Sequence, residues 1–199
     1  MSDPLVLASG SEIRAQILRR AGVEIEVRPA RIDEEALLQS LMAEGAPPRD
    51  IADALAETKA RRVADKLSGR WVLGCDQVLD LDGRILSKPA DEDEARHHLS
   101  LLSGRTHNLF SAAVLFDGPT PIWRHVGQTR LTMRSLSDAF LAAYVTRNWH
   151  SIRSSVGGYK IEEEGVRLFS RIDGDHFTIL GLPLIELLSF LVLRGKLAT

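Results

Sequence analysis

The stretch that most constrains this chain is Trp71 to Leu81, a strand-forming run followed at once by Asp82-Gly83 and a returning run, Arg84 to Ser87, that ends at Lys88-Pro89. An Asp-Gly pair between two such runs specifies a two-residue hairpin turn, so the strand must pair antiparallel with its successor. Elsewhere, strand-like and helix-like segments interleave, the pattern that builds parallel βα units. A chain holding both must build a mixed sheet, and the class is α/β (mixed α+β).

Before the hairpin, Leu5 to Ala8 reads as a short buried strand. Ser11 stands where an N-cap belongs, and Ile13, Ile17, Leu18 and Ala21 share one face of a helix that Gly22 stops. Val23, Ile25 and Val27 alternate in a second strand. An acidic loop follows at Asp33-Glu34-Glu35, and Pro47-Pro48 breaks the chain before a long helix capped by Asp50. Ile51, Leu55, Val63 and Leu67 step by four along that helix, and the position completing the series is Lys59.

After the hairpin, Asp91 and Glu94 form a capping-box pattern for a helix running to about Leu102. His107 to Phe116 and Ile122 to Met133 are two longer strands joined through Asp117-Gly118-Pro119. Ser137 opens a helix through Tyr144, and Gly157-Gly158 interrupts the chain. Tyr159 to Ile172 reads as a hairpin turning at Glu163-Glu164-Gly165. Pro183 starts a last helix with Leu184, Leu187, Leu188 and Leu191 on one side and Gly195 at its end.

The 199 residues, 44% of them hydrophobic, suffice for one domain over residues 1–199, or for two lobes sharing a core. A net charge of -2 with no Lys/Arg run argues against nucleic acid as a partner. The longest apolar stretch, Leu180 to Leu193, is broken by Pro183 and Glu186 and is too short to cross a bilayer. A single cysteine, Cys75, excludes an internal disulfide and fits a reducing compartment, so the expectation is a soluble, cytoplasmic protein.

Four places carry candidate chemistry. The Ser9-Gly10-Ser11 turn leads into a helix with Arg14 at its third position. Exposed backbone N–H groups, two hydroxyls and a guanidinium there suit phosphate oxygens, although Ser11 could simply cap the helix with Arg14 in solvent. Asp76 lies mid-strand among apolar neighbours, where a carboxylate needs a partner or an open face. Gly74 and Cys75 leave room beside it. Lys59 either snorkels from its apolar stripe or serves a site, and Lys88 is either a loop lysine or an anion ligand held extended by Pro89. Asp33-Glu34 reads most simply as a solvated pair. Carboxylates for a hard divalent cation, cations for phosphates and no nucleophilic cysteine together suit phosphoanhydride hydrolysis. Neither a G-x-x-x-x-G-K-[ST] loop nor an H-E-x-x-H pattern is present.

The pieces "LASGSEIRAQIL", "RIDEE", "LAETKA", "GCDQVLDLDGRILSKPADEDEA", "LSGRTH", "GGYKIEE" and "IDGDHFTILGLPL" occur in an order and spacing that resembles the Maf family of nucleoside triphosphate pyrophosphatases, the septum formation proteins, over nearly the whole chain. The resemblance implies a Maf/ITPase-like fold, with an elongated mixed sheet flanked by helices and two lobes around a central cleft. It also implies a homodimer that cleaves a nucleoside triphosphate between its α and β phosphates with Mg²⁺ or Mn²⁺. By position, Ser9, Ser11 and Arg14 would hold phosphates, and Glu34 and Asp76 the metal. Asp76 would also activate water, and Lys59 and Lys88 would bind the triphosphate.

Departures from the family pattern bear on the substrate. Many members read Ser-Pro-Arg-Arg where this chain has Ser11-Glu12-Ile13-Arg14, which removes one arginine. The pyrimidine-specific branch reads Asp-Thr and Ile-Gln where this chain has Asp76-Gln77 and Ile161-Glu162, and in these changes the chain resembles the 7-methyl-GTP branch. A carboxylate at Glu162 offers acceptors only, which suits the paired donors of guanine and the cationic methylated ring, whereas an amide also suits uracil or thymine. Glu162 could equally belong to a solvated turn with Glu163 and Glu164. The competing readings are a dTTP/UTP pyrophosphatase and a nucleotide-sensing septum protein with incidental turnover.

Overall fold

The structure, a computed structural model, describes residues 3–198. Its strands, β1 (Leu5–Leu7), β2 (Ile25–Val27), β3 (Trp71–Leu81), β4 (Arg84–Leu86), β5 (Thr106–Asp117), β6 (Thr120–Met133) and β7 (Phe169–Asp173), form a seven-stranded sheet in the order β2-β1-β3-β5-β6-β7, with β4 paired on β3. The chain divides into two compact units, and β3, β5 and β6 each contribute residues to both.

The first unit comprises residues 1–76, 111–127 and 175–199. Here β1 (Leu5–Leu7) runs parallel to both β2 (Ile25–Val27) and β3 (Trp71–Leu81), with Leu5 opposite Ile25 and Val6 opposite Val72. A parallel strand with neighbours on both sides is covered on both faces, which is why Leu5, Val6 and Leu7 are apolar without alternation and all buried. On the edge strand β2, Val27 is exposed, so the alternation read there does not bury all three apolar residues.

Helix α1 (Glu12–Arg20) carries Glu12 in its first turn and Arg19 and Arg20 in its last, each matched to the helix dipole, and Gly22 at φ 76° ends it. Ile17 and Leu18 are buried as expected. Ile13 is only half-buried, and the buried neighbour is Arg14. The acidic stretch is not a loop: Asp33 Oδ1 accepts from Ala36 N at 3.0 Å and caps α2 (Glu34–Ala43). None of its residues is buried, so no strong apolar face announced it.

Helix α3 (Pro48–Ala64) begins at Pro48, whose missing N–H costs nothing in the first turn. Asp50 therefore lies inside that turn and not at the cap. Near the C-terminus, a short α6 (His176–Ile179) precedes α7 (Leu184–Leu193). Leu184, Leu187 and Leu191 of α7 are buried, whereas Leu188 is only half-buried.

The second unit comprises residues 77–110 and 128–174. Its hairpin turns at Asp82 (φ 52°) and Gly83 (φ 87°) into β4 (Arg84–Leu86), with Leu81 opposite Arg84; two positive φ values are what a two-residue turn of this hand needs. Asp91 Oδ1 caps α4 (Glu92–Leu102) through Glu94 N at 2.8 Å. The Glu94 carboxylate reaches back to Ala90 N, one residue beyond the capping-box donor, Asp91 N. Strands β5 (Thr106–Asp117) and β6 (Thr120–Met133) are sheet neighbours, as their short connection requires.

Two expectations fail in this unit. Helix α5 (Asp138–Ile152) continues two turns past Tyr144, because Val145 and Ile152 keep burying and no breaker comes before Gly157. Tyr159 to Ile172 is not a hairpin. Turn residues 161–163 lead into a 3₁₀ segment, Glu164–Leu168, and β7 (Phe169–Asp173) then pairs antiparallel with β6. The segment folds back too tightly for a ladder: a Cβ on Gly165 would meet Lys160 O at 2.3 Å. Glu164 also ties the segment to α5 through Arg147 and Asn148, each at 2.8 Å.

Candidate functional site

The site is assembled where β1 ends beside its parallel neighbour β3, and the carboxyl ends of parallel strands are where α/β sheets usually receive ligands. Beyond Leu7 the chain leaves β1 as Ser9-Gly10-Ser11 and enters α1, while neighbouring β3 continues through Gly74 and Cys75 to Asp76.

Gly74 and Asp76 lie two residues apart on β3 and so face the same side. A Cβ on Gly74 would lie 2.1 Å from Ala56 O and 2.6 Å from Ala60 N, so the backbone of α3 rests directly against the strand. That approach carries Lys59, the charged member of the apolar stripe, onto Asp76. Its Nζ donates to Asp76 Oδ1 at 2.5 Å and pairs with Glu34 Oε2 at 2.9 Å. Lys59 and Asp76 are both buried, and Glu34, at the first position of α2, is half exposed. Neither a snorkelling lysine nor an open-face aspartate is what the fold contains. The solvated acidic pair of the sequence reading is instead a cap, Asp33, next to a site carboxylate, Glu34.

The phosphate-cradle candidates converge on the same strand end. Arg14 is buried, not in solvent: Nε donates to Gly181 O at 2.7 Å, and Nη1 donates to Ser9 Oγ at 3.2 Å and Cys75 O at 3.0 Å. The carbonyl that Arg14 holds belongs to Cys75, the residue before Asp76 on β3. Ser11 holds the N-cap position but makes no side-chain cap bond; its N–H donates instead to Ser9 Oγ at 3.2 Å. Ser9 Oγ thus accepts two hydrogen bonds. With both lone pairs occupied, what the hydroxyl still has to offer is its proton, so the group faces any ligand as a donor.

The remaining candidates belong to the second unit. Gln77 is half-buried on β3, Lys88 is exposed just after β4, and Glu162 is exposed in the turn 161–163 rather than at a strand end. The thiol of Cys75 is fully buried and its pKa is pushed up to about 11 by desolvation, so it is no nucleophile. Sequence reasoning missed the two carbonyls that hold Arg14, those of Cys75 and Gly181. The "GLP" segment was the available signal, because a glycine before a turn proline often marks a backbone position no other residue can take.

Among the described residues, no three His, Cys, Asp or Glu side chains gather into a metal-holding group. Glu34 and Asp76 nevertheless converge on a single cation, the Lys59 ammonium. Two carboxylates around one cationic point fit an ion such as Mg²⁺, which is commonly bound through one or two carboxylates with substrate phosphates completing its shell.

The chain is 61% identical to a nucleoside triphosphate pyrophosphatase of Ruegeria pomeroyi, over 100% of both proteins. It is 46% identical to a 7-methyl-GTP pyrophosphatase of Mesorhizobium japonicum, over 99% of both. A 7-methyl-GTP pyrophosphatase of Rhizobium meliloti is 48% identical over 95% of both chains. The family model for Maf-like proteins matches residues 4–193, so the strand-end site just described is that of a chain belonging to the Maf-like protein family.

Proposed function

We propose that this protein is a nucleoside triphosphate pyrophosphatase, releasing pyrophosphate and a nucleoside monophosphate, with 7-methyl-GTP as its preferred class of substrate. The observation carrying this reading is the buried Lys59–Asp76 pair with the half-exposed Glu34 on the same ammonium, one residue along the chain from the Cys75 carbonyl held by Arg14, which with Ser9 presents donors. The relatives named above act on nucleoside triphosphates, two of them on 7-methyl-GTP.

In the proposed reaction, Asp76 accepts a proton from water as its oxygen bonds to the α phosphorus, the bond from that phosphorus to the bridging oxygen breaks, and pyrophosphate departs with the electron pair. Lys59 turns its ammonium from Asp76 toward the phosphate oxygens, which frees the carboxylate to act as a base. Ser9, Ser11 and Arg14 orient the phosphates, and Lys88 adds a further cation. Glu34 and Asp76 would hold Mg²⁺ or Mn²⁺, which when bound neutralises charge on the phosphate oxygens. Gln77 and Glu162 read the base, with Glu162 accepting from guanine N1–H and the 2-amino group.

The test is pyrophosphate release from a nucleotide panel with either metal. Turnover of 7-methyl-GTP above UTP and dTTP is expected, and folded protein that releases none from any nucleotide refutes the enzyme reading. Glu162→Gln separates the substrates: it should weaken 7-methyl-GTP turnover and relax rejection of pyrimidines. Unchanged selectivity would favour the dTTP/UTP alternative. The resemblance also leads us to propose a homodimer, which sedimentation would detect. No helix of the described residues is long and apolar enough to cross a membrane.

A further inference from the structure

We propose that Gly181 is the positioning residue for Arg14, holding the guanidinium through its carbonyl so that the two N–H groups of Nη2 are left for an anion; this rests on the reading that Arg14 binds substrate phosphate. Arg14 has five N–H donors in a rigid plane. Nε is committed to Gly181 O at 2.7 Å, and Nη1 to Ser9 Oγ and Cys75 O. Among the described residues, Nη2 makes no hydrogen bond, so three of the five donors hold the group in place and the two on Nη2 remain.

Two features make residue 181 a glycine on physical grounds. Its φ of +93° is a backbone conformation that strains any L side chain. A Cβ there would also meet Arg14 Nε and Nη2 at 2.9 Å and Cζ at 3.3 Å. The atoms in its way are the far end of a flexible side chain, so Gly181→Ala would displace the guanidinium more readily than the backbone. The turn itself is anchored: Asp175 Oδ2 accepts from Thr178 N, Thr178 O accepts both Gly181 N at 3.0 Å and Ser111 Oγ at 2.6 Å, and Leu182 N donates to Phe177 O. A segment 167 residues along the chain from Arg14 therefore sets the aim of the phosphate-binding group.

The experiment is steady-state pyrophosphate release, with melting curves, for Gly181→Ala, Arg14→Lys, the double variant, Arg14→Gln, and Gly22→Ala as a strain control. Gly22 has φ +76° with nothing within 4 Å of an added Cβ. Gly181→Ala should raise KM about tenfold with a smaller change in kcat, the scale of one lost charge-assisted hydrogen bond. Lysine cannot make the Nε bond, so the double variant should have the KM of Arg14→Lys alone. Kinetics of Gly181→Ala that match Gly22→Ala, or effects that multiply in the double variant, would overturn the proposal. Should Gly181→Ala melt below the assay temperature, Arg14→Lys decides: a wild-type KM means charge alone suffices and positioning is refuted, whereas a KM as poor as that of Arg14→Gln supports it. A wild-type KM in Arg14→Gln removes the phosphate reading and this inference with it.

Discussion

Gly74→Ala tests whether the close seat of α3 on β3 builds the site. The added methyl would fall 2.1 Å from Ala56 O, 2.6 Å from Ala60 N and 2.8 Å from Ala60 Cβ. Ordinary carbon contacts begin near 3.5 Å, so the helix backbone must retreat by roughly 1 Å or more. Overpacking of this kind costs about 3 kcal/mol where backbone has to move, which for a chain of this length lowers the melting temperature by roughly 6–12 °C. The same retreat pulls at the 2.5 Å contact between Lys59 and Asp76, one residue from Ala60, and a misplacement of that size costs on the order of 10²-fold in kcat. Calorimetry gives the first quantity, and pyrophosphate release well below the melting temperature gives the second. Adding Ala60→Gly should not rescue either, because the two nearest obstacles are main-chain atoms. A Gly74→Ala protein melting within about 2 °C of wild type with unchanged kcat would refute the reasoning, as would rescue by Ala60→Gly.

Asp76→Asn should keep the fold yet lower kcat by about 10²–10⁴, the usual worth of a general base. Lys59→Met, which strands a buried carboxylate without its cation, should both abolish turnover and lose about 3–5 kcal/mol in urea unfolding. His107, buried with its Nε2 2.7 Å from Tyr159 Oη, has its pKa lowered to about 4 by desolvation. Its unfolded form titrates near pH 6.5. Between these values the unfolded chain binds the extra proton, so stability is complete above pH 6.5 and falls by about 3 kcal/mol as pH drops toward 4. Melts from pH 7 to 4.5 check this, and His107→Phe should flatten the slope. Glu164, held down to about pH 2 by Arg147 and Asn148, should add its own loss only below its ordinary range near 4.5.

Much of the fold was legible because local signals agreed with one another. The boundaries of β3 and the Asp82-Gly83 turn follow from a strand pattern meeting a turn pair that permits one register. The elements that escaped notice lack such agreement. α2 has no buried residue, and α6 is a single turn held by Asp175. The supposed late hairpin has Gly165 where a turn belongs, but that glycine serves a close backbone approach to Lys160, and its downstream run pairs with β6. Which partner a strand takes is decided by long-range packing, and a single sequence holds little trace of it.

The site shows the same division at finer grain. Lys59 and Asp76 stood out because each violates the pattern of its own element, a charge in an apolar stripe and a charge in an apolar strand. A burial that costs so much has to be matched, and here each is the other's partner. Glu34 and Ser9 break no local rule. The first looks like any helix-start acid, and the second becomes a donor only because Ser11 N and Arg14 Nη1 fill its lone pairs. Arg14 lay between the two cases: read as a surface residue it cost nothing, so nothing flagged its burial. What places it inside is a pair of carbonyls, from Cys75 and Gly181, and main-chain acceptors have no sequence signature. Charged residues that oppose their periodicity thus mark a site from sequence, whereas the groups that aim them are found only once the chain has folded.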